Sequence, residues 1–515
     1  MTIPPARRIA VLGAGLSGLT AAYRLSTLLP KSQIYLLDGA RQGGWVKSDK
    51  HAVSFTTPAG ERLQGTITCE AGPRSIRPRG GPGAPAMLKL IRDAGLEDAI
   101  VPIPSSHPAA RNRYLLTPAG LERVAPTPLA LLKPASASAA LVRGAALEPF
   151  RRSPQPYPAD ESVASFFKRR FGPRIAHIAS AFVHGIYAAD PASLSLRSAF
   201  GILHDAEKKY GSVVLGMLRG VATPEAKAAE AAAWAELGEL GKKREQWSMY
   251  ALSGGMQALT AKLATEAAAN GVEVRCGAEG RVSGLTKTAD GVEIALPTGP
   301  LSVSHVVSAL PPRQLAGLAP QLPNLTANPS TTVGVVNVVY PLPPGDIHPD
   351  GFGYLIPRDD ASQHAALGVV FDSTALPGTG DGSLEGKLTK LTVMMGGPYW
   401  GSYGGAAPSS ADSLVAPALA HLQSTFPVLR GVEPLLVTPH LNAECIPTYA
   451  PGHGARLRET HEAIARDWDG RLSVVGAGYG GVSVNDCVLG AELVAGALGR
   501  GEEGVTGLER WAEWE

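Results

Sequence analysis

The sequence predicts an α/β protein in which a parallel-sheet domain is interleaved with a mixed-sheet domain and a helical domain. The first observation is a strand, glycine turn, helix and strand in residues 7–48, and the second is another strand and glycine turn in 472–487. The third is an apolar and basic helical stretch between segments in which helices and strands alternate. A chain of 515 residues is also too long for one compact core, so we expect several structural units.

The first glycine turn predicts a Rossmann-like domain. Ile9–Leu12 is a short apolar run typical of a strand buried in a parallel sheet, and Gly13-x-Gly15-x-x-Gly18 follows it. These glycines permit a tight turn, the approach of backbone N–H groups to a pyrophosphate, and close packing of the helix on the strand. Asp38 ends the second strand, Gln33–Asp38, at the distance where a carboxylate meets a ribose.

The residues after Asp38 favour FAD over NAD as the cofactor. In "GARQGGWVKS", Gly43-Gly44 is followed by the aromatic Trp45 and further polar residues. This continuation is typical of flavoproteins of the amine oxidase type, where a second glycine pair lets the chain pass the pyrophosphate and ribityl groups. We therefore expect bound FAD.

The stretch "EAGPRSIRPRG" contains three arginines, Arg74, Arg77 and Arg79. It has two interpretations of about equal weight. One is a solvated basic loop, the usual fate of such a run. The other is that the backbone of Gly72–Ser75 lines the flavin while an arginine binds an anionic group, because guanidinium suits carboxylates and phosphates.

After the first domain, the predicted secondary structure changes from helical to α/β along the chain. Residues 107–220 are predicted to be helical, apolar and basic, without an apolar run long enough to span a membrane, and 222–245 to form a surface helix or a mobile insert. The α/β pattern returns with a helix at Met256–Ala269 and a strand at Val272–Arg275, and 331–398 is rich in strands. A last helix is expected from about Asn485 to Leu498.

Several classes of function are disfavoured. The formal charge of +2 provides no electrostatic argument for nucleic acid binding. Four cysteines far apart, with no metal-spaced His or Glu set, argue against a disulfide scaffold and a metal site. No acid–base pair is evident, which is consistent with a flavin supplying the chemistry. The first strand begins so early that no room is expected for a secretory signal.

Motifs along nearly the whole chain resemble the protoporphyrinogen oxidase family of the amine-oxidase-like flavoproteins. The first motif, "VLGAGLSGLTAAYRL", is shared by many flavoproteins. The resemblance continues through "GGWVKS", "GPRSIRP", "HPAARNRYL", "WSMYALSGGMQAL", "GFGYLIP", "VMMGG", "ECIPTYAPGH" and "GAGYGGVSVNDC". Of these, "HPAARNR", "GFGYLIP" and "VNDC" are much more specific. The Ala/Glu-rich segment and the residues before "QWSMY" are similar to those of a fungal member of the family.

The resemblance implies an FAD site. Its residues would come from the first glycine turn, the end of the second strand, the "GGW" and "GPRS" stretches, the returning strand and the last glycine turn: Gly13, Ala14, Gly15, Leu16, Ser17, Gly18, Asp38, Trp45, Gly72, Pro73, Arg74, Ser75, Val282, Ala477, Val482, Ser483 and Val484. Asp38 would meet the adenosine ribose and Val282 would hold the adenine end by backbone contacts. The last glycine turn would thus close the same site rather than bind a second nucleotide.

The resemblance also implies the reaction and its substrate cavity. The reaction is the oxygen-dependent oxidation of protoporphyrinogen IX to protoporphyrin IX in haem biosynthesis, six electrons leaving in three FAD-mediated hydride transfers with production of hydrogen peroxide. The cavity would be lined by Arg113, Phe352, Gly353, Leu355 and Met394. Arg113 would pair with a propionate, and Phe352 and Leu355 would enclose the rings. An apolar cavity with one fixed cation suits a large apolar molecule that has two carboxylates on one edge.

The expected domains are a discontinuous FAD-binding domain (1–75, 249–312 and 470–500), a substrate-binding domain (76–106 and 313–469), a helical membrane-binding domain (107–220) and an Ala/Glu-rich insert (221–248). The resemblance implies that the helical domain attaches to one membrane leaflet without crossing it, in the mitochondrial inner membrane of a eukaryote. A homodimer and transfer of the product to ferrochelatase are implied in the same way.

Two rival interpretations stay open. An amine or polyamine oxidase would share the FAD motifs, but a cationic substrate needs an aromatic cage or acidic residues rather than an arginine. A non-catalytic binder of the same fold would keep the architecture without needing flavin.

Overall fold

In a computed structural model, the described residues are 7–57, 60–358, 365–379, 382–403 and 406–514. Their strands are β1 (Arg8–Leu12), β2 (Gln33–Asp38), β3 (Ser48–Thr56), β4 (Arg62–Glu70), β5 (Ile100–Pro104), β6 (Tyr114–Thr117), β7 (Gly120–Arg123), β8 (Trp247–Leu252), β9 (Glu273–Cys276), β10 (Gly284–Lys287), β11 (Val292–Ala295), β12 (Leu301–Val303), β13 (His305–Ser308), β14 (Ser330–Tyr340), β15 (Gly353–Leu355), β16 (Ala366–Val370), β17 (Thr389–Gly396), β18 (Leu436–Pro447) and β19 (Leu472–Val474).

The α-helices among these residues are α1 (Leu16–Leu28), α2 (Gly83–Asp93), α3 (Pro108–Arg111), α4 (Ala137–Leu147), α5 (Val163–Phe171), α6 (Pro173–Tyr187), α7 (Leu196–Ala199), α8 (Gly201–Tyr210), α9 (Val213–Arg219), α10 (Pro224–Glu236), α11 (Gly238–Lys243), α12 (Gln257–Ala269), α13 (Pro312–Leu318), α14 (Pro344–Ile347), α15 (Asp372–Ala375), α16 (Val415–Thr425), α17 (His453–Asp467) and α18 (Val484–Gly499). Short 3₁₀ turns join several of them.

The nucleotide-binding sheet has five parallel strands in the order β19-β13-β1-β2-β9. Its strands are apolar because both faces are covered. Ile9 and Val11 of β1 pack with α1, α12 and α18, whereas Ala10 and Leu12 pack with the β10–β12 meander and α17. The sheet draws strands from the start, middle and end of the chain, which confirms the predicted interleaved α/β fold.

A second, mixed sheet has seven strands in the order β18-β14-β17-β16-β15-β6-β7. Its pairs are antiparallel except β15 with β6, which run parallel. One face packs against α16 around Val393, Phe371 and Tyr354. The other face meets α6 around Leu355.

The structure corrects the expectation that residues 107–220 are helical throughout. Tyr114–Thr117 and Gly120–Arg123 form the β6–β7 hairpin at the edge of the seven-stranded sheet. The pairing partner of β6 is β15, more than two hundred residues along the chain, so local pattern could not predict it. The long β3–β4 hairpin was likewise not predicted. Of the elements whose bounds were predicted, β2, β9, α12 and α18 agree with expectation to within a few residues.

Residues 124–220, called here the helical segment, contain α4 to α9. Among the residues that the structure describes, no helix has the length and apolar character needed to cross a membrane. After the helical segment, α10 and α11 cover part of the predicted insert, and α10 has no buried residue.

Candidate active site

The first glycine turn leaves no room for side chains. Gly13 has a positive φ of 93°, a conformation that favours glycine. A Cβ at Gly18 would lie 1.8 Å from the Gly13 carbonyl oxygen, so α1 could not pack on the turn with any other residue. A Cβ at Gly44 would lie 3.1 Å from the Cα of Gly15, which shows how closely the two glycine stretches approach.

The N-terminus of α1 is open to an anionic ligand. Gly15 is the N-cap residue, no side chain caps the helix, and no acidic residue lies in its first turn. The unpaired N–H groups and the helix dipole therefore face outward, as a pyrophosphate requires. Together with the space kept free by the glycines, this end of the helix fits a dinucleotide such as FAD.

Asp38 at the end of β2 is held by the glycine turn itself. Its Oδ2 accepts from the Ala14 N–H at 2.6 Å, and its Oδ1 accepts from the Ala40 N–H at 2.7 Å. A carboxylate has about four acceptor positions, so each oxygen can still accept a ribose hydroxyl. The segment that leads to Val282 lies beside it, since a Cβ at Gly280 would be 2.7 Å from the Asp38 carbonyl oxygen. The residues predicted for the adenosine end thus lie together.

The "GPRS" stretch contacts the first glycine segment and the mixed sheet. A Cβ at Gly72 would lie 2.6 Å from the Trp45 carbonyl oxygen, so the backbones of the two stretches touch. The buried Arg74 guanidinium pairs with Asp372 Oδ1 at 3.2 Å. Thr392 Oγ1 lies 2.5 Å from the other Asp372 oxygen. The Arg74 side chain therefore connects the "GPRS" stretch to the seven-stranded sheet. Pro73 and Ser75 flank it in the same stretch.

The last glycine turn differs from the first at its helix. The Ser483 hydroxyl oxygen accepts from the Asp486 N–H at 3.1 Å, and the Asp486 carboxylate accepts from the Ser483 N–H. Helix α18 therefore begins with a capping box. A helix that is capped by its own side chains and carries an acid in its first turn does not attract a phosphate. Gly476 instead faces the Ser17 hydroxyl, its Cβ position being 3.5 Å from Oγ. The second turn therefore approaches the first and flanks the same site.

A cleft of about 350 Å³ lies between these segments. Trp45 from the first segment and Ala477 from the last line it, with Ala309 and Pro311 after β13 and Cys445 on β18. Ligands of open parallel sheets bind beyond the carboxyl ends of the strands, which is where Ala309 lies. Sequence reasoning missed Ala309 and Pro311, although their place directly after an apolar strand was a usable signal. A larger cleft of about 500 Å³, lined by Thr68, Ser373 and Lys390, lies elsewhere.

A transverse row of apolar residues crosses the seven-stranded sheet. Met394 pairs with Val335 on one side and Gly368 on the other, Gly368 pairs with Leu355, and Leu355 pairs with Leu115. Directly paired residues of neighbouring strands face the same side, so these five positions form one surface, called here the apolar row. Two predicted substrate residues, Leu355 and Met394, thus lie on one face.

Gly368 allows close packing in the middle of the apolar row, and sequence reasoning missed it. A Cβ at Gly368 would lie 3.2 Å from Leu355 Cδ2 and 2.7 Å from the Tyr354 carbonyl oxygen. Above the row, Gly185 of α6 has the same property, its Cβ position being 2.8 Å from Leu355 Cδ2. Nothing local in the sequence links these two glycines, since only pairing and packing bring them to Leu355.

Gly353 and Phe352, at the start of β15, lie close to Arg113. Gly353 has φ of 139°, and a Cβ there would lie 2.1 Å from the Val369 carbonyl oxygen, so glycine is required for pairing with β16. The guanidinium carbon of Arg113 lies 4.6 Å from the centre of the Phe352 ring, a cation–π contact. Phe352 and Met394 pack against the same hydrophobic cluster. Arg113 is therefore in contact with Phe352, and Phe352 shares a hydrophobic cluster with Met394 of the row.

Arg113 is half-buried, and its guanidinium has no hydrogen bond or ion pair to any residue that the structure describes. Burial lowers the pKa of Arg113 to about 10, and the charge of Arg77 adds to this effect. A partly desolvated cation without an anion is unfavourable until a ligand supplies one. This is the arrangement expected for an arginine that binds a carboxylate.

Asn485, on the first turn of α18, is a further residue that the sequence did not indicate as part of the site. Its Nδ2 donates to the Arg77 carbonyl oxygen at 2.9 Å. Its Oδ1 is buried without a hydrogen-bond partner among the described residues. A buried acceptor of this kind is rare unless a ligand or water satisfies it.

Val482 and Val484 lie on either side of Ser483 and are partly buried. Val482 packs against the cluster formed by Tyr187 and Tyr449, so the last turn also contacts the helical segment. Leu16 and Ser17 lie buried in the first turn of α1.

Comparisons with known proteins agree with this geometry. Residues 16–498 match the family described as flavin containing amine oxidoreductase. A protoporphyrinogen oxidase of Schizosaccharomyces pombe is 34% identical over 95% of this chain and 98% of its own length. The Homo sapiens protoporphyrinogen oxidase is 33% identical over 96% of this chain and 98% of its own.

A crystal structure from Exiguobacterium sp. 255-15 has the same fold, with a TM-score of 0.71 at 19% identity over 97% of this chain and 100% of that one. The family match begins inside the first glycine turn and covers the last glycine turn and the apolar row, and the relatives align over nearly their whole length. The chain therefore belongs to the flavin-containing amine oxidoreductases and, within them, to the protoporphyrinogen oxidase family.

Proposed function

We propose that this protein oxidises protoporphyrinogen IX to protoporphyrin IX in haem biosynthesis, with molecular oxygen as the acceptor. One observation carries the proposal. The apolar row, with the Arg113 cation at its end unpaired among the described residues, lies next to a cleft lined by Trp45 and the last glycine turn. Cys445 lines that cleft and packs against the same hydrophobic cluster as Met394 of the row, so the two surfaces adjoin.

The residues at the two glycine turns would hold FAD. The open N-terminus of α1 and the glycines would receive the pyrophosphate, Asp38 and Val282 the adenosine, and Trp45, Gly72–Ser75, Ala477 and 482–484 the flavin side. Bound FAD supplies the hydride-accepting chemistry of this family. The protein would then contribute binding, orientation and exclusion of water.

The row and its end would position the tetrapyrrole. Phe352, Leu355 and Met394 offer apolar contacts to its rings, and Gly368 allows Leu355 to pack closely in the row. Arg113 would bind one carboxylate through charge-assisted hydrogen bonds. Gly353 would act indirectly, by allowing β15 to pair where it presents Phe352 and Leu355.

We propose the domain division expected from the sequence, with one amendment. The FAD-binding domain would comprise 1–75, 249–312 and 470–500, and the substrate-binding domain 76–106 and 313–469. The β6–β7 hairpin belongs to the seven-stranded sheet, so residues 114–123 are better assigned to the substrate-binding domain.

We also propose that the helical segment attaches the protein to one leaflet of a membrane, the mitochondrial inner membrane in a eukaryotic cell. Ten of the fourteen large apolar side chains that are exposed among the described residues lie between 129 and 218: Leu129, Leu131, Leu132, Leu147, Phe150, Phe182, Ile186, Ile202, Met217 and Leu218. Lys133, Arg143 and Arg152 are exposed in the same segment. Exposed apolar side chains with basic neighbours are typical of binding to a lipid surface.

Helix α6 offers a physical reason for that attachment. Gly185 faces Leu355 of the row, whereas Phe182 and Ile186 on the same helix are exposed. A substrate of low solubility could pass from lipid to the row along this helix without entering water. A homodimer and transfer of the product to ferrochelatase stay predictions of the family resemblance.

The test is oxidation of protoporphyrinogen IX by flavin-loaded protein, followed by the fluorescence of protoporphyrin. Flavin absorbance of the purified protein separates an enzyme from a binder of the same fold. Spermine and benzylamine serve as control substrates for an amine oxidase. A flavin-loaded protein that leaves protoporphyrinogen unchanged would overturn the proposal.

Arg113→Ala tests the substrate site separately from the cofactor site. Hydrogen bonds to charged groups contribute about 1.5–3 kcal/mol, so KM should rise at least about tenfold. Flavin content should stay at the wild-type value. Arg123→Ala, at an exposed position on the neighbouring strand β7, is the control. Loss of flavin from Arg113→Ala would show that this arginine belongs to the cofactor site.

A further inference from the structure

The three arginines of residues 74–79 have three different environments. Arg74 is buried in the pair with Asp372, and the Arg79 guanidinium donates to the Glu245 carbonyl oxygen. The Arg77 guanidinium has no hydrogen bond or ion pair to any residue in the described part of the chain. Of the three, Arg77 is therefore the one whose charge is available to a ligand.

The backbone of Arg77 is fixed although its side chain is not. The preceding residue, Ile76, forms a bridge with Tyr250 of β8, with N–H to O distances of 2.8 and 3.0 Å in the two directions. Asn485 holds the Arg77 carbonyl oxygen at 2.9 Å. Met249, next to Tyr250, packs in the cluster that Phe352 and Met394 contact. Arg77 is thus anchored between the start of α18 and the end of the apolar row.

The Arg77 side chain is exposed, yet the surrounding protein removes enough of its hydration to lower the pKa of its guanidinium. A ligand can therefore reach the side chain, and an anionic ligand would compensate for the lost hydration.

Arg77 and Arg113 are close enough for one charge to affect the other. The Arg77 charge contributes to the low pKa of Arg113, and no carboxylate acts to raise the pKa of either group. Two like charges in a desolvated cavity repel each other, and an uncharged site would be more stable. A ligand with two negative charges would relieve this repulsion at both positions.

We propose that Arg77 is a second carboxylate-binding residue of the substrate site, so that Arg77 and Arg113 bind the two carboxylates on one edge of the tetrapyrrole. This inference rests on the proposed function and deepens it. Guanidinium groups bind carboxylates through two parallel hydrogen bonds, which fixes orientation as well as affinity. The pair would thus determine which edge of the ring system enters first and would select dianionic substrates over esters.

The test compares Arg77→Gln and Arg77→Lys with wild type in flavin-loaded protein, using protoporphyrinogen IX and its dimethyl ester in the same detergent. With the diacid, Arg77→Gln should raise KM at least about tenfold while kcat changes much less and flavin content is kept. Arg77→Lys should restore part of the lost affinity. With the dimethyl ester, wild type and Arg77→Gln should have the same KM.

Arg79→Gln is the matched control, since it removes a nearby arginine whose guanidinium is already bonded to a carbonyl group. An unchanged KM for the diacid in Arg77→Gln, or an equal loss for diacid and ester, would overturn the inference while leaving the proposed function intact. Loss of flavin from Arg77→Gln would assign Arg77 to the cofactor instead. A flavin-loaded wild type that is inactive on the diacid would overturn both.

Discussion

The nucleotide-binding sheet buries apolar side chains, whereas the helical segment buries a group of charged side chains and exposes large apolar ones. The core of the sheet is almost entirely apolar, as at Ile9, Val11 and Val307, and its ligand-facing positions are glycines and backbone. The helical segment buries charges and exposes leucines and phenylalanines. A domain whose surface is apolar can obtain specific packing from buried ion pairs, which an apolar pattern alone would not provide.

The buried charges of the helical segment form one network. Arg170 on α5 is 1% exposed and pairs with Glu148, which is 0% exposed, and with Glu207 on α8 at 3.4 Å. Glu148 Oε2 accepts from Ser212 Oγ at 2.6 Å, and Glu148 also accepts from the first N–H groups of α9. Three helices are therefore held by Glu148, Glu207 and the guanidinium groups of Arg170 and its neighbour Arg169.

The largest effect on stability is expected from Arg170→Met. Removing one partner of a buried ion pair leaves uncompensated charge and costs about 3–5 kcal/mol. Calorimetry and urea unfolding should report this loss, while flavin content per folded molecule stays unchanged. Lys242→Met breaks an exposed pair with Glu239 and should lower the free energy of unfolding far less than Arg170→Met does. A cost below about 1 kcal/mol for Arg170→Met would remove the contrast between the two regions.

Gly18→Ala should break the nucleotide-binding region selectively. The new Cβ would lie 1.8 Å from a backbone oxygen, so α1 must shift, at a cost of about 1–3 kcal/mol. Because the shift moves the helix end that faces the pyrophosphate, flavin should be lost from the purified protein, as absorbance would show. Gly490→Ala in α18 is the control, since nothing lies within 4 Å of its Cβ position. Retained flavin in Gly18→Ala would contradict the assigned role.

Acid should weaken both regions through buried neutral histidines. Burial lowers the pKa of His305 in β13 to about 3, and burial also lowers the pKa of His184 in α6. The unfolded chain takes up a proton below about pH 6.5 while folded His305 stays neutral, so stability is present above 6.5 and falls as pH decreases toward 3. At pH 5 the loss from His305 is about 2 kcal/mol.

His305→Gln keeps a polar partner for Ser473, which now lies 2.8 Å from the ring nitrogen, and should reduce this loss. Urea unfolding at pH 7 and pH 5 measures the difference, with exposed His177→Gln as the control. Glu207 should contribute little in this range, because its pKa is lowered and it stays ionised until the pH falls below its ordinary value. An unchanged pH dependence in His305→Gln would contradict the expected role of burial.

The smallest change in stability is expected from Phe150→Ser with Leu218→Ser. These side chains are 84% and 80% exposed, so unfolding free energy should change by less than about 0.5 kcal/mol each. Binding to vesicles of phosphatidylcholine with phosphatidylglycerol should weaken at least about tenfold, because burying such a side chain in lipid contributes about 1.5–3 kcal/mol. Leu493→Ser in α18, 63% exposed, is the control outside the helical segment. Equal vesicle binding in the double variant would contradict the proposed attachment.

Predictability from sequence differed between the two regions. The glycine spacing, the position of Asp38 and the apolar strands were sufficient to predict the first βαβ unit, because each depends on neighbours in the chain. The β6–β7 hairpin was mistaken for helix, because its pairing with β15 is long-range. The family resemblance led to Arg113 and Met394, but Gly368 and Asn485 were missed, because their roles depend on what packs against them.

By itself the sequence determined that a nucleotide-binding turn, an acidic strand end and a second glycine turn are present, since backbone conformation and residue size act locally. The sequence also led to the expectation that the second turn closes the first site, and the tertiary structure added a physical reason, a self-capped helix that does not attract a phosphate. Only the tertiary structure decided which of three neighbouring arginines stays without a partner among the described residues, because Asp372 and the Glu245 carbonyl come from distant parts of the chain. The availability of a charge depends on such distant partners, and residue type alone does not determine it.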